Sequence, residues 1–251
     1  MAELKGFNAL VTGGGRGIGA AIAAALTREG VRVTILGRNA ETLKASTGRG
    51  DAAAYIVADV TDASTFEKTM TEIAGRPIDI LVNNAGTALS APFLKTSNAD
   101  FQRMLDVHLL GPVVAARALL PGMVVRKFGR IINIASTAAL KGYPYTSAYG
   151  AAKHGLLGLT RALATELAST GVTVNAVCPG FTDTDMARAS IETIVAKTGR
   201  TPEAARAELT RTNPMGRMIA PEEVADAVCF LARRESGAIT GTAITVAGGE
   251  A

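Results

Sequence analysis

Short, almost unbroken apolar runs recur along this chain. They are separated by stretches in which apolar residues return every three or four positions. The runs Asn8–Thr12, Val31–Leu36, Ala54–Ala58, Ile78–Val82, Arg130–Ala135 and Val172–Val177 read as strands buried on both faces, as a parallel sheet between two helical layers requires. The segments Ile18–Glu29, Ala40–Ser46, Ala63–Ala74, Ala99–Val125 and Ala148–Ser169 carry the period of amphipathic helices. A helix over Pro221–Arg233 and a last strand over Ala243–Val246 complete the series. Strand then helix, repeated, predicts right-handed crossovers and a doubly wound parallel α/β sheet.

One segment breaks the rhythm. After Pro179-Gly180 no strand-like run occurs before Pro221, and Met186–Lys197 and Pro202–Thr212 read as two helices. A helical pair inserted beyond a strand's carboxyl end lies where an open α/β sheet places its ligand, so a lid over residues 185–218 is expected. The plain alternative is a surface insertion. No linker, low-complexity tract or further repeat interrupts the pattern, so residues 1–251 are expected to form one domain.

Composition narrows the class. Apolar residues make up 48% of the 251 and charged residues 19%, which excludes disorder. Tryptophan is absent and aromatics are 4%, so Ala, Val, Leu and Ile must fill the core. Cys178 and Cys229 are isolated and read as reduced, buried thiols; neither a disulfide scaffold nor a metal site is expected. Met1–Lys5 lacks the order of a signal peptide, and Pro112, Arg117 and Pro121 interrupt the apolar stretch Leu109–Val125. No membrane partner is expected, and the location expected is cytoplasmic. The net charge is +4, but no run of Lys or Arg exceeds two residues. That pattern argues against nucleic acid and suits a phosphate-bearing ligand.

Such a ligand has a candidate cradle. Thr12-Gly13-Gly14-Gly15-Arg16-Gly17-Ile18-Gly19 follows the first strand and opens the first helix. Gly13 permits a tight turn, while Gly17 and Gly19 permit close approach of backbone, phosphates and sheet. The helix from Ile18 offers free N–H groups to a dinucleotide pyrophosphate. This is the Rossmann-type arrangement, with a strand before the glycines and a helix after them. An acidic residue at the end of the second strand would select NAD(H). Gly37-Arg38 stands there instead, and Arg16 lies near the same ribose by topology. Two guanidiniums without a carboxylate suit a 2′-phosphate, so NADP(H) is expected ahead of NAD(H). The alternative is a pair of solvated surface arginines.

A second constellation carries chemistry. Tyr149 and Lys153 stand at i and i+4 on one helix face. A lysine's charge favours tyrosinate and lowers the phenol pKa, tuning it to exchange a proton with a carbonyl or alcohol oxygen. Ser136 ends the fifth strand at the sheet's carboxyl edge, where its hydroxyl can bond the same oxygen.

With these residues in order, the chain resembles the short-chain dehydrogenase/reductase family over essentially its whole length. Thr12–Gly19, Asp59-Val60, Asn83-Asn84-Ala85-Gly86, Ser136, Tyr149 with Lys153, Asn175, Pro179-Gly180 and Thr184 carry the resemblance. It implies that Tyr149 is the general acid/base and that Ser136 positions the carbonyl. Lys153 would tune the tyrosine and hold the nicotinamide ribose. The implied cofactor-binding set is Thr12, Gly13, Gly15, Arg16, Gly17, Ile18, Gly19, Arg38, Asp59, Val60, Asn83, Ala85, Gly86, Tyr149, Lys153, Pro179, Gly180, Thr182 and Thr184. Within it, Asp59 and Val60 would meet the adenine and Thr184 the carboxamide. One position departs from the family. Val107-His108-Leu109-Leu110-Gly111 carries His108 where an asparagine usually helps hold a water leading to the lysine. An imidazole can hold a water and titrates near neutrality, so His108 is expected to fill that role with its own pH response. The alternative is a histidine tolerated at a dispensable position. His154 is expected to be structural.

Within the family, the stretch Gly171–Phe181, Pro214–Arg217 and the ending Val246–Gly249 are similar to 3-oxoacyl reductases and aromatic polyketide ketoreductases. The implied reaction interconverts a 3-oxoacyl and a 3-hydroxyacyl thioester. Arg188, Lys197, Arg200, Arg206, Arg211 and Arg217 against Glu192, Glu203 and Glu208 make the lid basic, which would suit the phosphates of coenzyme A, or else a solvated helix face. A free ketone or secondary alcohol, and a non-catalytic NADP(H)-binding regulator, stay open. The resemblance also implies a homotetramer joined through the two long helices and the C-terminal region.

Overall fold

The seven expected strands form: β1 (Asn8–Thr12), β2 (Arg32–Gly37), β3 (Ala54–Val57), β4 (Ile80–Asn83), β5 (Gly129–Ile134), β6 (Val172–Pro179) and β7 (Ala243–Val246). In the computed structural model, which describes residues 4–250, they run parallel in the order β3-β2-β1-β4-β5-β6-β7. Met1–Glu3 lie outside the described residues, and with them most of the Met1–Lys5 stretch considered above; so does Ala251. The chain starts mid-sheet at β1, winds outward to β3 and returns to β4 on the other side of β1. That reversal opens a crevice at the carboxyl ends of β1 and β4, and both candidate motifs lie on that edge.

Side chains alternate across each strand. Ala9 and Val11 of β1 join Ile22 and Leu26 of helix α1 (Gly17–Arg28), together with Val224, Val228 and Leu231 of a C-terminal helix, Pro221–Ala232. Leu10, Leu81, Ile131 and Val174 point to the opposite face. There they meet Phe66 and Met70 of α3 (Ala63–Ala74), with α2 (Ala40–Gly48) preceding it in the chain. Ala, Val, Ile and Leu do fill most of the core, and Cys178 and Cys229 are buried free thiols.

The long apolar segment is one helical run in three parts. α4 (Asn98–Leu105) passes into a π-helical turn at Asp106–Leu110, then into α5 (Gly111–Val125). Pro112 has no N–H to give the His108 carbonyl, and the Gly111 N–H reaches back to Asp106. By length and composition this run passes as a membrane span. However, Ala115, Ala116, Leu119 and Met123 are buried in the sheet's second core. Beyond β5, α6 (Ser147–Glu166) carries Tyr149 in its first turn. The helical pair is α7 (Asp185–Thr198) and α8 (Pro202–Thr210), capped by Thr184 and Thr201. Each buries one residue, Ala187 and Ala205, so the pair rests lightly on the sheet edge. The C-terminal helix is α9.

Candidate active site

Backbone builds the first half of the crevice. The Thr12 hydroxyl accepts the N–H groups of Asn84 and Ala85, each at 3.0 Å, and the Asn84 amide donates to the carbonyls of Thr12 and Gly13 at 2.9 and 3.2 Å. The loops after β1 and β4 are thereby stitched together. Gly13 has φ +67°, and a Cβ at Gly19 would lie 2.2 Å from the Gly13 carbonyl oxygen. No side chain fits there, which is why the helix can start so close to the strand. Arg16 precedes α1 with extended backbone and no side-chain cap, and α1 has no acidic residue in its first turn. By contrast, Asn39, Asp62, Thr184 and Thr201 cap α2, α3, α7 and α8. The free N–H groups at the start of α1 therefore face the crevice with their dipole uncompensated, an arrangement that fits a pyrophosphate.

Several of the other expected cofactor residues lie close to this cradle or pack on the elements beside it. Ile18 packs on the first core, and a Cβ at Gly17 would lie 3.3 Å from the Thr184 methyl, so the start of α7 overhangs the start of α1. Gly15 backs onto Thr42 of α2. Val60 lies against Gly111. Thr182 bonds the Gly180 carbonyl at 3.0 Å beyond Pro179. The buried amide of Asn83 donates to Asn133 at 2.9 Å, and Asn133 in turn donates to Thr160 at 2.8 Å. Arg16 and Arg38 are exposed. The expectation of no carboxylate beside them needs correction: Asp59, at the end of β3, lies 3.7 Å from Arg38. The contact is long and open to solvent, so it holds the guanidinium weakly.

Buried polar side chains build the second half. Ser136 leaves β5 in extended conformation. Lys153 is 5% exposed, and its Nζ donates to the Ile134 carbonyl at 2.8 Å, one residue pair upstream of Ser136. That nitrogen lies 5.7 Å from the centre of the Tyr149 ring. Burial pushes the Tyr149 phenol up from its ordinary pKa, and a hydrogen bond with Ser136 works against that rise. Burial also brings Lys153 down to about 7. Desolvation dominates both groups, and Ser136 is the partner that favours the phenolate.

His108 sits under the same corner, 2% exposed. Its ring stands edge-on to Tyr149 at 89°, centroids 5.2 Å apart. Nε2 lies 2.7 Å from the Thr87 carbonyl, which accepts only, so Nε2 carries the proton and Nδ1 keeps a lone pair. Nδ1 is buried with no partner. A Cβ at Gly86 would touch the ring at 2.8 Å, so Gly86 lets the imidazole fit. Burial, then the Lys153 charge, hold His108 well below the ordinary histidine pKa, against a small opposing effect of the Thr87 bond. The expectation of titration near neutrality is corrected accordingly: this histidine is a neutral acceptor. His154 is exposed and bonds the Gly150 carbonyl at 2.9 Å, off the reacting face.

The helical pair also differs from its sequence reading. Arg188 pairs with Asp183 and Asp185, Arg206 with Asp183, Arg200 and Arg211 with Glu208, and Arg217 with Glu223. Only Lys197 of the six cations lacks such a pair among the described residues. The excess charge is largely neutralised by carboxylates of Asp183, Asp185 and Glu223 that the lid count left out. Sequence reasoning also missed the carbonyls of Thr87 and Ile134, because a backbone acceptor has no side-chain signature. Asn133 and Thr160 were findable as polar residues at buried positions of a strand and a helix.

A family model described as enoyl-(acyl carrier protein) reductase matches residues 13–250. The chain is 37% identical to 3-oxoacyl-(acyl-carrier-protein) reductase FabG of Rickettsia bellii, over 99% of this chain and 98% of that one. It is 40% identical to acetoacetyl-CoA reductase of Rhizobium meliloti, over 96% and 97%. Among solved structures, a single-residue variant of actinorhodin polyketide ketoreductase with NADPH superimposes with a TM-score of 0.90 at 37% identity, covering 97% of this chain and 96% of that one.

Proposed function

The chain belongs to the short-chain dehydrogenase/reductase family, and on that premise we propose that it is an NADP(H)-dependent oxidoreductase interconverting a 3-oxoacyl thioester and its 3-hydroxyacyl counterpart. The observation that carries this reading is the convergence of Ser136, Tyr149, Lys153 and His108 on one corner beside an uncapped, glycine-lined helix start. Thr12 to Gly19, Arg38, Asp59, Val60, Ala85, Gly86 and the Pro179 to Thr184 segment hold the dinucleotide. When bound, the reduced nicotinamide supplies a hydride to the carbonyl carbon.

The chain's own residues handle the proton. Tyr149 gives its phenolic proton to the carbonyl oxygen as charge develops there. Ser136 bonds that oxygen and the phenol together. Lys153, held on the Ile134 carbonyl, keeps its nitrogen near the phenol, and the free Nδ1 of His108 accepts a hydrogen bond from a water of the relay. The thioester half rests on the relatives' chemistry and on Phe181, Met186 and Met215, exposed apolar residues along the 181–215 segment where an acyl chain needs cover. Residues 1–251 form one catalytic domain with residues 185–218 as its lid. The protein is a cytoplasmic homotetramer in this reading. Its support is the small-residue face of α6, with Ala151, Gly158 and Ala162 exposed, which permits close helix packing.

The test is NADPH oxidation with acetoacetyl-CoA, beside NADH and a panel of free ketones. Turnover with the thioester and NADPH supports the whole reading. Turnover with free ketones alone keeps the chemistry and discards the thioester. That second reading, a free carbonyl substrate, is favoured by the ion-paired lid arginines, which leave few cations for a coenzyme A phosphate. Tight NADPH binding without turnover on any carbonyl would make the protein a regulator.

A further inference from the structure

Three segments far apart in sequence meet on one buried carboxylate. Glu250 is 2% exposed, and its Oε1 accepts the hydroxyl protons of Tyr143 at 2.6 Å and Thr212 at 2.5 Å, with Lys141 Nζ at 3.4 Å. Tyr143 also lies 2.8 Å from the Thr137 hydroxyl. A phenol has one proton and the carboxylate can only accept, so Thr137 donates to Tyr143 and Tyr143 to Glu250. Thr137 is the residue after Ser136. The other oxygen, Oε2, would lie 3.4 Å from a Cβ at Gly180, against the turn that ends β6.

The tail is shaped to deliver this carboxylate. Gly248 and Gly249 have φ +62° and +91°, and a side chain on Gly248 would collide with Asn213 at 2.2 Å. The Met215 N–H bonds the Gly248 carbonyl at 3.3 Å. The tail is thus strapped to the foot of the helical pair before it reaches the β5–α6 loop. That loop holds a backbone that needs fixing: Tyr145 has φ +66°, and its carbonyl accepts the Ala91 N–H at 2.9 Å. Tyr143 is held in and Tyr145 is turned out, 63% exposed. Burial raises the carboxylate pKa, but Thr212, Tyr143 and Lys141 outweigh it and keep Glu250 an anion. Burial and that anion keep Tyr143 protonated.

We propose that Glu250 is a positioning residue for the reaction, tying the Ser136-bearing loop and the foot of the helical pair to the C-terminal tail so that the substrate side of the crevice is set as one unit. It touches neither the reacting oxygen nor the phenol of Tyr149; it acts through Thr137 and Tyr143. The proposal rests on the ketoreductase reading above.

The experiment uses the full chain and compares Glu250→Ala, Glu250→Gln, Tyr143→Phe and the double variant Glu250→Ala/Tyr143→Phe. Ketone turnover and NADPH affinity are measured separately, the latter by fluorescence titration. Hydrogen exchange of residues 137–146 and 211–216 is followed on the same samples. For Glu250→Ala we expect kcat/KM for the ketone to fall about tenfold or more, NADPH affinity to stay within about twofold, and exchange protection to drop in both segments. Glu250→Gln, which keeps an acceptor for both hydroxyls, should recover most of the turnover. The double variant should cost little more than Glu250→Ala, since both break one chain of bonds. Unchanged kinetics in Glu250→Ala, or equal loss of NADPH affinity and turnover, overturns the proposal. If Glu250→Ala does not fold, Tyr143→Phe decides, and normal kinetics there overturn it. A wild-type chain that reduces no ketone sinks the ketoreductase reading, while unchanged exchange in the variants separately sinks the tether.

Discussion

The two ends of the crevice solve opposite problems. In the proposed function, the ligand's charge must be met at the glycine end without blocking its approach. The chain removes side chains there, leaves the N–H groups of α1 uncapped, and keeps Arg16 and Arg38 in solvent. At the tyrosine end a proton must be held ready, and the chain buries Lys153 and His108 almost completely. The glycine end works through backbone dipoles that do not titrate. The tyrosine end works through groups whose pKa values burial has moved. Binding and chemistry should therefore be separable by mutation, more cleanly than their proximity suggests.

The sharpest test of that separation is Tyr149→Phe. General acid–base catalysis contributes roughly 10²–10⁴-fold, and loss of the phenol should cost kcat that much. NADPH affinity should change little, since the glycine end is untouched. A stopped assay for turnover beside a fluorescence titration for NADPH measures both, and equal losses in the two would break the comparison.

The reverse cut is Gly19→Ala. Its methyl would sit 2.2 Å from the Gly13 carbonyl oxygen, a backbone atom that cannot move aside without shifting the stitched loops. Overpacking of this kind costs about 1–3 kcal/mol, so NADPH affinity should fall by about tenfold or more and the melting temperature should drop. The ketone's pH–rate profile, set at the other end, should keep its shape at saturating NADPH.

Lys153 supplies a stability test confined to the tyrosine end. Its folded pKa lies at about 7 against an ordinary 10.5. Between those values the unfolded chain binds a proton that the folded chain does not, so raising the pH favours the fold by about 1.4 kcal/mol per unit for this group. Below pH 7 both states are protonated and the penalty is constant. The wild-type melting temperature should therefore climb relative to Lys153→Met as pH rises from 7 toward 10. Parallel curves would mean that the buried lysine keeps its charge.

A smaller effect is expected where the glycine end meets solvent. Arg38→Ser should lower NADPH preference over NADH by about tenfold, the worth of one charged hydrogen bond. Arg38 is exposed and only loosely drawn by Asp59, so little else should change. If NADPH and NADH affinities fall together, Arg38 supports the fold of the β2 end and reads no phosphate.

The two ends also differ in how far the sequence shows them. Glycines before a helix are a local signal, because a missing Cβ has a consequence within a few residues. The strand runs were equally local, and every one of them became a strand within a few residues of its expected bounds. Tyr149 and Lys153 were legible because one helical turn brings them together. What stayed hidden depends on distant pairing. Arg38 meets Asp59 because β2 and β3 are neighbours, and the lid arginines find carboxylates at its edges. The Thr87 carbonyl under His108 and the Glu250 cluster depend on how loops close over the sheet. No periodicity encodes those contacts. The pKa directions were hidden for the same reason, since burial is a property of the packed chain.

His108→Asn should have the smallest effect and is the most informative about the tyrosine end. A histidine with an ordinary pKa would add a limb near pH 6.5 to the pH–rate profile. This one is buried against Lys153 and Tyr149, with its Nε2 proton given to Thr87 and Nδ1 left as a bare acceptor. Protonating Nδ1 would put a charge beside the lysine with no partner to accept it, so the group stays neutral through the working range. An asparagine carbonyl presents the same kind of acceptor on a shorter arm. We expect kcat to change by only a few fold and the limbs of the profile to stay where they are. His108→Leu, which removes the acceptor and keeps the bulk over Gly86, should then lower kcat further than His108→Asn. Equal rates for the two variants would show that no proton path runs through this position, and a limb lost in His108→Asn would show that the imidazole titrates after all.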